Sequence, residues 1–236
     1  MAGPFSYPGG FPLNRIRTRC YPILDTGVVL RNITAADRRR RLRSIALELA
    51  LAEVEILQYR NKRDPDSVVL EDARALREAI REATAATPEA APPMRLILND
   101  RVSIFDPSLW DGVHVGQEDL APGAARDAIG PSAILGVSTH NDAQVIAADK
   151  EPVDYIAIGP VFSTATKPDT SPVIGLEGVR SARALTHKLL VAIGGITLAN
   201  AAQVCEAGAD SLAVIAAIFA VPDPAKSARD FLAVFK

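Results

Sequence analysis

A single α/β domain folded as a (β/α)8 barrel (TIM barrel) is what this sequence predicts, and three observations predict it. Eight short apolar runs are separated by helical or near-helical segments, in strand-then-helix units of roughly 20–40 residues. Most of these runs are continuously apolar instead of alternating, the pattern of parallel strands covered by helices. The chain is 236 residues long and 48% hydrophobic, enough to bury one sizeable core, and α/β barrels of this size are often undivided. An open doubly wound sheet is the structural alternative.

Composition narrows the function classes. A net charge of -2 and a pI near 6.0 leave no excess of positive field for a nucleic acid backbone or anionic lipid, so neither nucleic acid nor membrane is an expected partner. Cys20 and Cys205 cannot form a disulfide framework, and neither has a metal-ligand neighbour at short spacing. Reduced thiols and a cytoplasmic location are expected. Residues 1–19, rich in Gly, Pro and Arg, lack the apolar run of a secretory signal and read as a flexible N-terminal arm before a barrel at 20–236. The sequence leaves assembly into a homo-oligomer open.

In chain order, Cys20–Asp25 (CYPILD) is apolar, ends in a carboxylate and precedes Thr26-Gly27, a first buried strand and a turn. Thr34 with Asp37 resembles a capping box, and Leu42, Ile45, Ala46 and Leu49 recur at helical spacing. Arg38–Arg41 and Arg43 lie on this helix and read as a solvated face. Val54–Arg60 is a second strand, and a period of two directs Gln58, Arg60 and Lys62 at its exit to one side. Ser67 is placed to cap a helix striped by Val69, Ala73, Leu76 and Ile80, and Thr87–Pro93 is a Pro/Ala loop into a strand at 95–100.

Residues 101–111, broken by Pro107, are too short for a long helix, and the strand at 112–116 follows directly. Pro122–Ile129 is a short helix closed by Gly130. Ala133–Ser138, a helix over Asp142–Asp149 and Tyr155–Phe162 repeat strand, helix, strand. Ser163–Gly175 combines hydroxyl residues with a lysine and two prolines and has no helical stripe, the composition of a plain surface loop or a functional one. A helix at 176–186, a strand at 189–195, a helix at 198–207, a strand at 211–218 and a helix at 224–235 complete the chain. Cys205 falls on the Leu198, Ala201, Ala202 stripe, a packing position.

In such a barrel the loops after the strands line one mouth, and active sites lie there. Gln58, Arg60 and Lys62 follow the second strand; Asn99 and Asp100 the third; Gln117 and Asp119 the fourth. Ser138 follows the fifth, Thr164, Thr166 and Lys167 the sixth, and Gly194-Gly195 the seventh. Cations, two carboxylates and hydroxyls around one mouth suit a polyanion with a hard divalent metal, since Mg²⁺ takes one or two carboxylates plus phosphate oxygens and water. Gly194-Gly195 and the small-residue stretch Ile215-Ala216-Ala217 let an anion approach the backbone, where barrels of this class often bind phosphate. Two anion positions point to two phosphorylated substrates.

Ordinary readings stand beside these. Asp100 and Asp119 also suit loop caps, Arg60 and Lys62 suit exposed partners of Glu55 or Asp64, and Ser138 and Thr166 suit bonds to their own backbone. His114, between valines, reads as a satisfied core histidine. His140 and His187 carry no signal.

The chain resembles the thiamine-phosphate synthase (thiamine-phosphate pyrophosphorylase) family from about Tyr21 to Ile218. The resemblance runs through QYRNK (58–62), NDR (99–101), DGVHVGQEDL (111–120), GVSTHN (136–141), DYIAIGPVFSTATK (154–167), AIGGITLANA (192–201) and AGADSLAVIAAI (207–218). It implies a barrel enzyme, a transferase, that joins hydroxymethylpyrimidine pyrophosphate to hydroxyethylthiazole phosphate. Pyrophosphate is released and thiamine phosphate formed. On the matching positions it implies Mg²⁺ on Asp100 and Asp119, and Arg60, Lys62, Asn99, Ser138 and Lys167 on the pyrophosphate. Gln58 would face the pyrimidine; Thr164, Thr166, Gly195 and the backbone at Ile215-Ala216 would hold the thiazole phosphate. The catalytic set is then Arg60, Lys62, Ser138 and Lys167.

The implied reaction is dissociative: pyrophosphate leaves with metal and cationic help, and the thiazole nitrogen captures a pyrimidine-stabilised methylene cation. Ser163–Gly175 is expected to close over the site, because such a cation must be shielded from water. Three departures from the family pattern stand out. Tyr59 occupies an aliphatic position, residues 101–111 are atypical, and Ala216 replaces a serine, leaving backbone N–H groups for the thiazole phosphate. A thiazole tautomerase of the same fold would not need the whole charged set, and a phosphate-ligand sensor without catalysis is the alternative from another class.

Overall fold

The computed structural model describes residues 19–31, 33–86, 93–164 and 171–235. Eight parallel strands close on one another in sequence order: β1 (Cys20–Asp25), β2 (Ile56–Arg60), β3 (Arg95–Asn99), β4 (Gly112–Val115), β5 (Ile134–Thr139), β6 (Tyr155–Ile158), β7 (Leu189–Ile193) and β8 (Ser211–Val214). β8 pairs back onto β1, with Tyr21 opposite Ala213. The helices are α1 (Thr26–Val29), α2 (Ala35–Leu51), α3 (Asp66–Ala86), α4 (Pro122–Ile129), α5 (Asp142–Asp149), α6 (Gly175–Leu185), α7 (Leu198–Glu206), α8 (Ala216–Phe219) and α9 (Pro224–Ala233). The expected single barrel is therefore the observed fold, and the open sheet is not. The N-terminal arm and the Thr87–Pro93 loop lie almost wholly outside the described residues, and 165–170 of the Ser163–Gly175 segment also lie outside them.

The continuously apolar strands have a geometric cause, since each buries both faces. Alternate side chains, among them Tyr21, Ile23, Ile56, Ile97, Tyr155, Ala157, Val191 and Ala213, fill the barrel interior. Their neighbours Leu24, Leu57, Leu96, Leu98, Val113 and Val115 pack outward against the helices. Among the described residues no helix is long and apolar enough to cross a membrane.

Several boundaries move for local reasons. Thr26-Gly27 opens the short helix α1, because the Asp25 carboxylate accepts the Gly27 N–H at 2.9 Å and caps it. α3 begins at Asp66, directly after Pro65, whose carbonyl accepts from Val68 and Val69; Ser67 thus sits inside the first turn and is not its cap. β6 ends at Ile158, before Gly159-Pro160, since Pro160 has no N–H to give the ladder, yet Val161 and Phe162 still donate to the carbonyls of Ile193 and Gly194. β8 ends at Val214, and residues expected in a longer strand turn into α8.

The arginine-rich helix corrects the reading of a plain solvated face. Thr34 caps α2 through the Asp37 N–H, and Leu42, Ile45, Ala46 and Leu49 are buried as expected. Arg38, however, turns inward to Asp72, which is 4% exposed, while Arg39 and Arg43 meet Glu78 and Glu82 of α3. A buried carboxylate needs a charged partner, and α2 supplies it. The thiols behave as packing residues. Burial pushes Cys20 up to about 12 and Cys205 up to about 11. Neither then offers thiolate near neutral pH, so iodoacetamide is expected to spare both in the folded chain and to label both in denaturant. Mass spectrometry reads the result, and rapid native labelling of Cys20 would contradict its burial.

Candidate active site

The carboxyl ends of the strands converge on two adjoining pockets. The first has its polar wall on β1 to β5 and the loops after them, with Gln58, Arg60, Lys62, Asn99, Asp100, His114, Asp119 and Ser138. The second lies toward β6 to β8 and is lined by Ser138, His140, Thr164, Gly194, Gly195, Ile215 and Ala216. They share Ser138, Ala157, Ile193, Ala213 and Ile215, so a group in one pocket lies against a group in the other.

Arg60 and Asp25 are register partners at the ends of β2 and β1, and their side chains form an ion pair. Lys62, exposed on the loop two residues beyond, pairs with Asp100. These partners replace the expected alternatives Glu55 and Asp64. Asp64 instead accepts from Asn61 and Arg38, which braces the turn that carries Lys62.

Asp100 stands just past β3 with φ 63, a left-handed conformation that aspartate tolerates better than most residues, and its N–H donates to the His114 carbonyl at 2.8 Å. That strained step turns the Asp100 carboxyl toward Asp119. Asp119 accepts the Gly116 N–H at 2.8 Å. Its carboxyl is held above the ordinary carboxylate range, first by burial and then by its hydrogen bond with Asp100, although the residue as a whole sits at the exposed rim. Two carboxylates brought this close repel each other unless a cation lies between them. The donor set fits a hard divalent cation with two protein carboxylates. Among the described residues no group of three or more His, Cys, Asp or Glu side chains forms an all-protein cage.

Below this rim the pocket floor is a chain of buried hydrogen bonds. Gln58, 3% exposed, donates from Nε2 to the Tyr21 hydroxyl at 3.1 Å, and Tyr21 lies 2.7 Å from the Tyr155 hydroxyl. His114 bridges Tyr155 and Ser138, with Nδ1 2.9 Å from the phenol oxygen and Nε2 2.9 Å from Oγ. Burial drives both phenols well above their ordinary range, so both keep their protons. Asn99 is buried in the same wall. The expectation of a satisfied core histidine holds for His114, but the histidine stands in the pocket wall. Gln117 does not join that wall; its amide donates to the Ser138 carbonyl at 2.5 Å.

In the second pocket, Gly194 and Gly195 have φ 105 and 63, and a side chain on Gly195 would meet the Ser163 carbonyl at 2.6 Å. Glycine is required there by the turn and by the close β6 loop, and the same bareness exposes backbone to the pocket. His140, silent in the sequence, lines this pocket with Nδ1 2.6 Å from the Gly159 carbonyl; a carbonyl only accepts, so Nδ1 bears a proton. Thr166 and Lys167 lie outside the described residues.

Asp25, Tyr21, Tyr155 and His140 are therefore additions that sequence reasoning missed. For Asp25 a signal existed: a carboxylate closing the first strand, level with the arginine that closes the second.

Comparison with known proteins adds an independent line. Residues 30–218 match the family described as thiamine monophosphate synthase. The chain is similar to the thiamine-phosphate synthase of Koribacter versatilis (strain Ellin345), 45% identical over 193 residues that span 82% of this chain and 86% of that protein. It is also similar to the thiamine-phosphate synthase of Chloroflexus aurantiacus, 38% identical over 216 residues and 92% of each chain. Among solved structures, a thiamine phosphate pyrophosphorylase from Pyrococcus furiosus superposes with a TM-score of 0.74 at 29% identity, covering 94% of this chain and 96% of that one.

Proposed function

Because the chain belongs to the thiamine-phosphate synthase family, we propose that it joins hydroxymethylpyrimidine pyrophosphate to hydroxyethylthiazole phosphate, releasing pyrophosphate and forming thiamine phosphate. The observation that carries this reading at the level of chemistry is the facing pair Asp100 and Asp119, flanked by Lys62 and Arg60 at one mouth. Both substrates are small anions, and the adjoining pockets match one anion each.

Asp100 and Asp119 would hold Mg²⁺, which supplies Lewis-acid stabilisation of charge on the departing pyrophosphate. Lys62 and Arg60 exchange their carboxylate partners for phosphate oxygens when substrate enters, so cations are already aimed where negative charge develops. Asn99 and Ser138 add hydrogen bonds to the same group, and Gln58 meets the pyrimidine. Thr164, Gly195 and the backbone at Ile215-Ala216 bind the thiazole phosphate; Thr166 belongs with them and Lys167 with the pyrophosphate group. The reaction is dissociative, and the shared wall of the two pockets lets the thiazole nitrogen capture the methylene cation. That nitrogen carries no proton, so no general base is needed. Unpaired cysteines accord with a cytoplasmic enzyme.

With both substrates and Mg²⁺ the purified protein is expected to release pyrophosphate, and with a chelator or with one substrate omitted it is expected to release none. Absence of release at saturating substrates and metal sinks this reading.

A further inference from the structure

We propose that the buried chain Gln58–Tyr21–Tyr155–His114–Ser138 runs in one direction, fixes His114 as the Nε2–H tautomer, and turns the Ser138 hydroxyl hydrogen into the first pocket as a donor to the anion. The functional half of this inference rests on the reading of that pocket as the pyrophosphate site.

The direction follows from counting hydrogens. The amide nitrogen of Gln58 can only donate, and it lies 3.1 Å from the Tyr21 hydroxyl. Tyr21 has one hydroxyl hydrogen, which the Gln58 nitrogen cannot accept, so the chain has Tyr21 give it to Tyr155 at 2.7 Å. Tyr155 accepts there and passes its own hydrogen to His114 Nδ1 at 2.9 Å, which must be the bare nitrogen. A neutral imidazole then carries its proton on Nε2, 2.9 Å from Ser138 Oγ. Ser138 accepts that proton's hydrogen bond, and its own hydrogen is left to point outward into the pocket it lines. Hydrogen bonds in such a series polarise one another, so a serine that accepts from the chain is a stronger donor to a ligand.

The packing leaves the chain little freedom. The His114 and Tyr155 rings are stacked at 5.5 Å and 21°, and Tyr21 meets Tyr155 edge-on at 5.7 Å. Gly136, opposite Tyr155 on β5, makes room for the ring: a Cβ there would lie 2.0 Å from the phenol Cζ. Five strands each contribute one member, so the chain exists only when the barrel is closed. Tyr21, Tyr155 and His114 are on this account positioning residues that act through Ser138.

Nitrogen-15 spectroscopy of the protein labelled at histidine tests the tautomer directly. The chain has three histidines, and His114→Gln identifies the relevant signals. Nε2 is expected to be protonated and Nδ1 bare in the wild type, with the preference relaxed in Tyr155→Phe. Tyr155→Phe is also expected to lower kcat roughly tenfold, the worth of about one hydrogen bond, and to cost nothing further in a Ser138→Ala background. A protonated Nδ1 in the wild type, or losses that add in the double variant, overturns the proposal. If Tyr155→Phe does not fold, the wild-type spectrum still decides the tautomer, and Tyr21→Phe breaks the chain one step earlier with the same expected sign. A wild-type protein that releases no pyrophosphate overturns the functional reading instead, and the tautomer result stands independently of it.

Discussion

Asp119→Asn is expected to lower the rate of pyrophosphate release roughly a hundredfold or more at saturating substrates while the barrel stays folded. The substitution removes the charge that would help hold the cation but keeps an oxygen that can accept the Gly116 N–H, now bonded at 2.8 Å. Folding stability in metal-free buffer should move the other way or not at all. The Asp119 carboxyl is held above its ordinary range by burial and by Asp100, so its ionised form is disfavoured in the fold. A carboxyl with a raised folded value loses stability for the fold as pH climbs from its unfolded value through the folded one. Asparagine does not ionise and so removes that loss. Turnover and Tm measured on one preparation separate the outcomes. Near-normal turnover excludes Asp119 as a necessary ligand, and a large fall in both quantities shows that the residue is structural.

Asp72→Ala is expected to destabilise the protein by about 3 kcal/mol, or roughly 6–12 °C in Tm for a domain of this size, the largest stability effect of any single change considered. Asp72 is 4% exposed and accepts from Arg38 Nε at 2.8 and 3.0 Å and from Nη2 at 2.6 Å, with the Tyr59 hydroxyl as a further donor. Its removal leaves a guanidinium and a phenol facing an apolar hole. The same network reaches the active site, because Asn61 donates to the Tyr59 hydroxyl at 2.8 Å and accepts from the N–H groups of Arg63 and Asp64. The turn that carries Lys62 is therefore braced from α2 and α3, and KM for the pyrophosphate substrate should rise along with the loss of Tm. Calorimetry decides the first point, and an unchanged Tm would mean that Asp64 alone satisfies Arg38. Tyr59, out of place against the family pattern, owes its position to this network.

Much of the site could be read before the fold was known. The exits of the strands are local features: an apolar run stops where polar residues begin, and a period of two places Gln58, Arg60 and Lys62 on one side. All three line one pocket with Asn99, Asp100, Asp119 and Ser138. The members that stayed hidden are those whose roles depend on a distant partner. Tyr21 and Tyr155 are separated by 134 positions, and each by itself is an aromatic in an apolar strand.

By itself, then, the sequence determined the strand-and-helix order, the barrel, and the charged rim that marks the mouth, because burial pattern and chain order are properties of adjacent residues. Only the tertiary structure decided which cation meets which carboxylate, why Arg38 turns inward, and how the floor beneath Ser138 is wired. The ion pairs follow from the pairing of β1, β2 and β3 and from the packing of α2 on α3. The floor follows from barrel closure, which brings inward-facing side chains from remote strands within hydrogen-bonding distance. There desolvation favours polar groups that find partners, as the hydroxyls of Tyr21 and Tyr155 do.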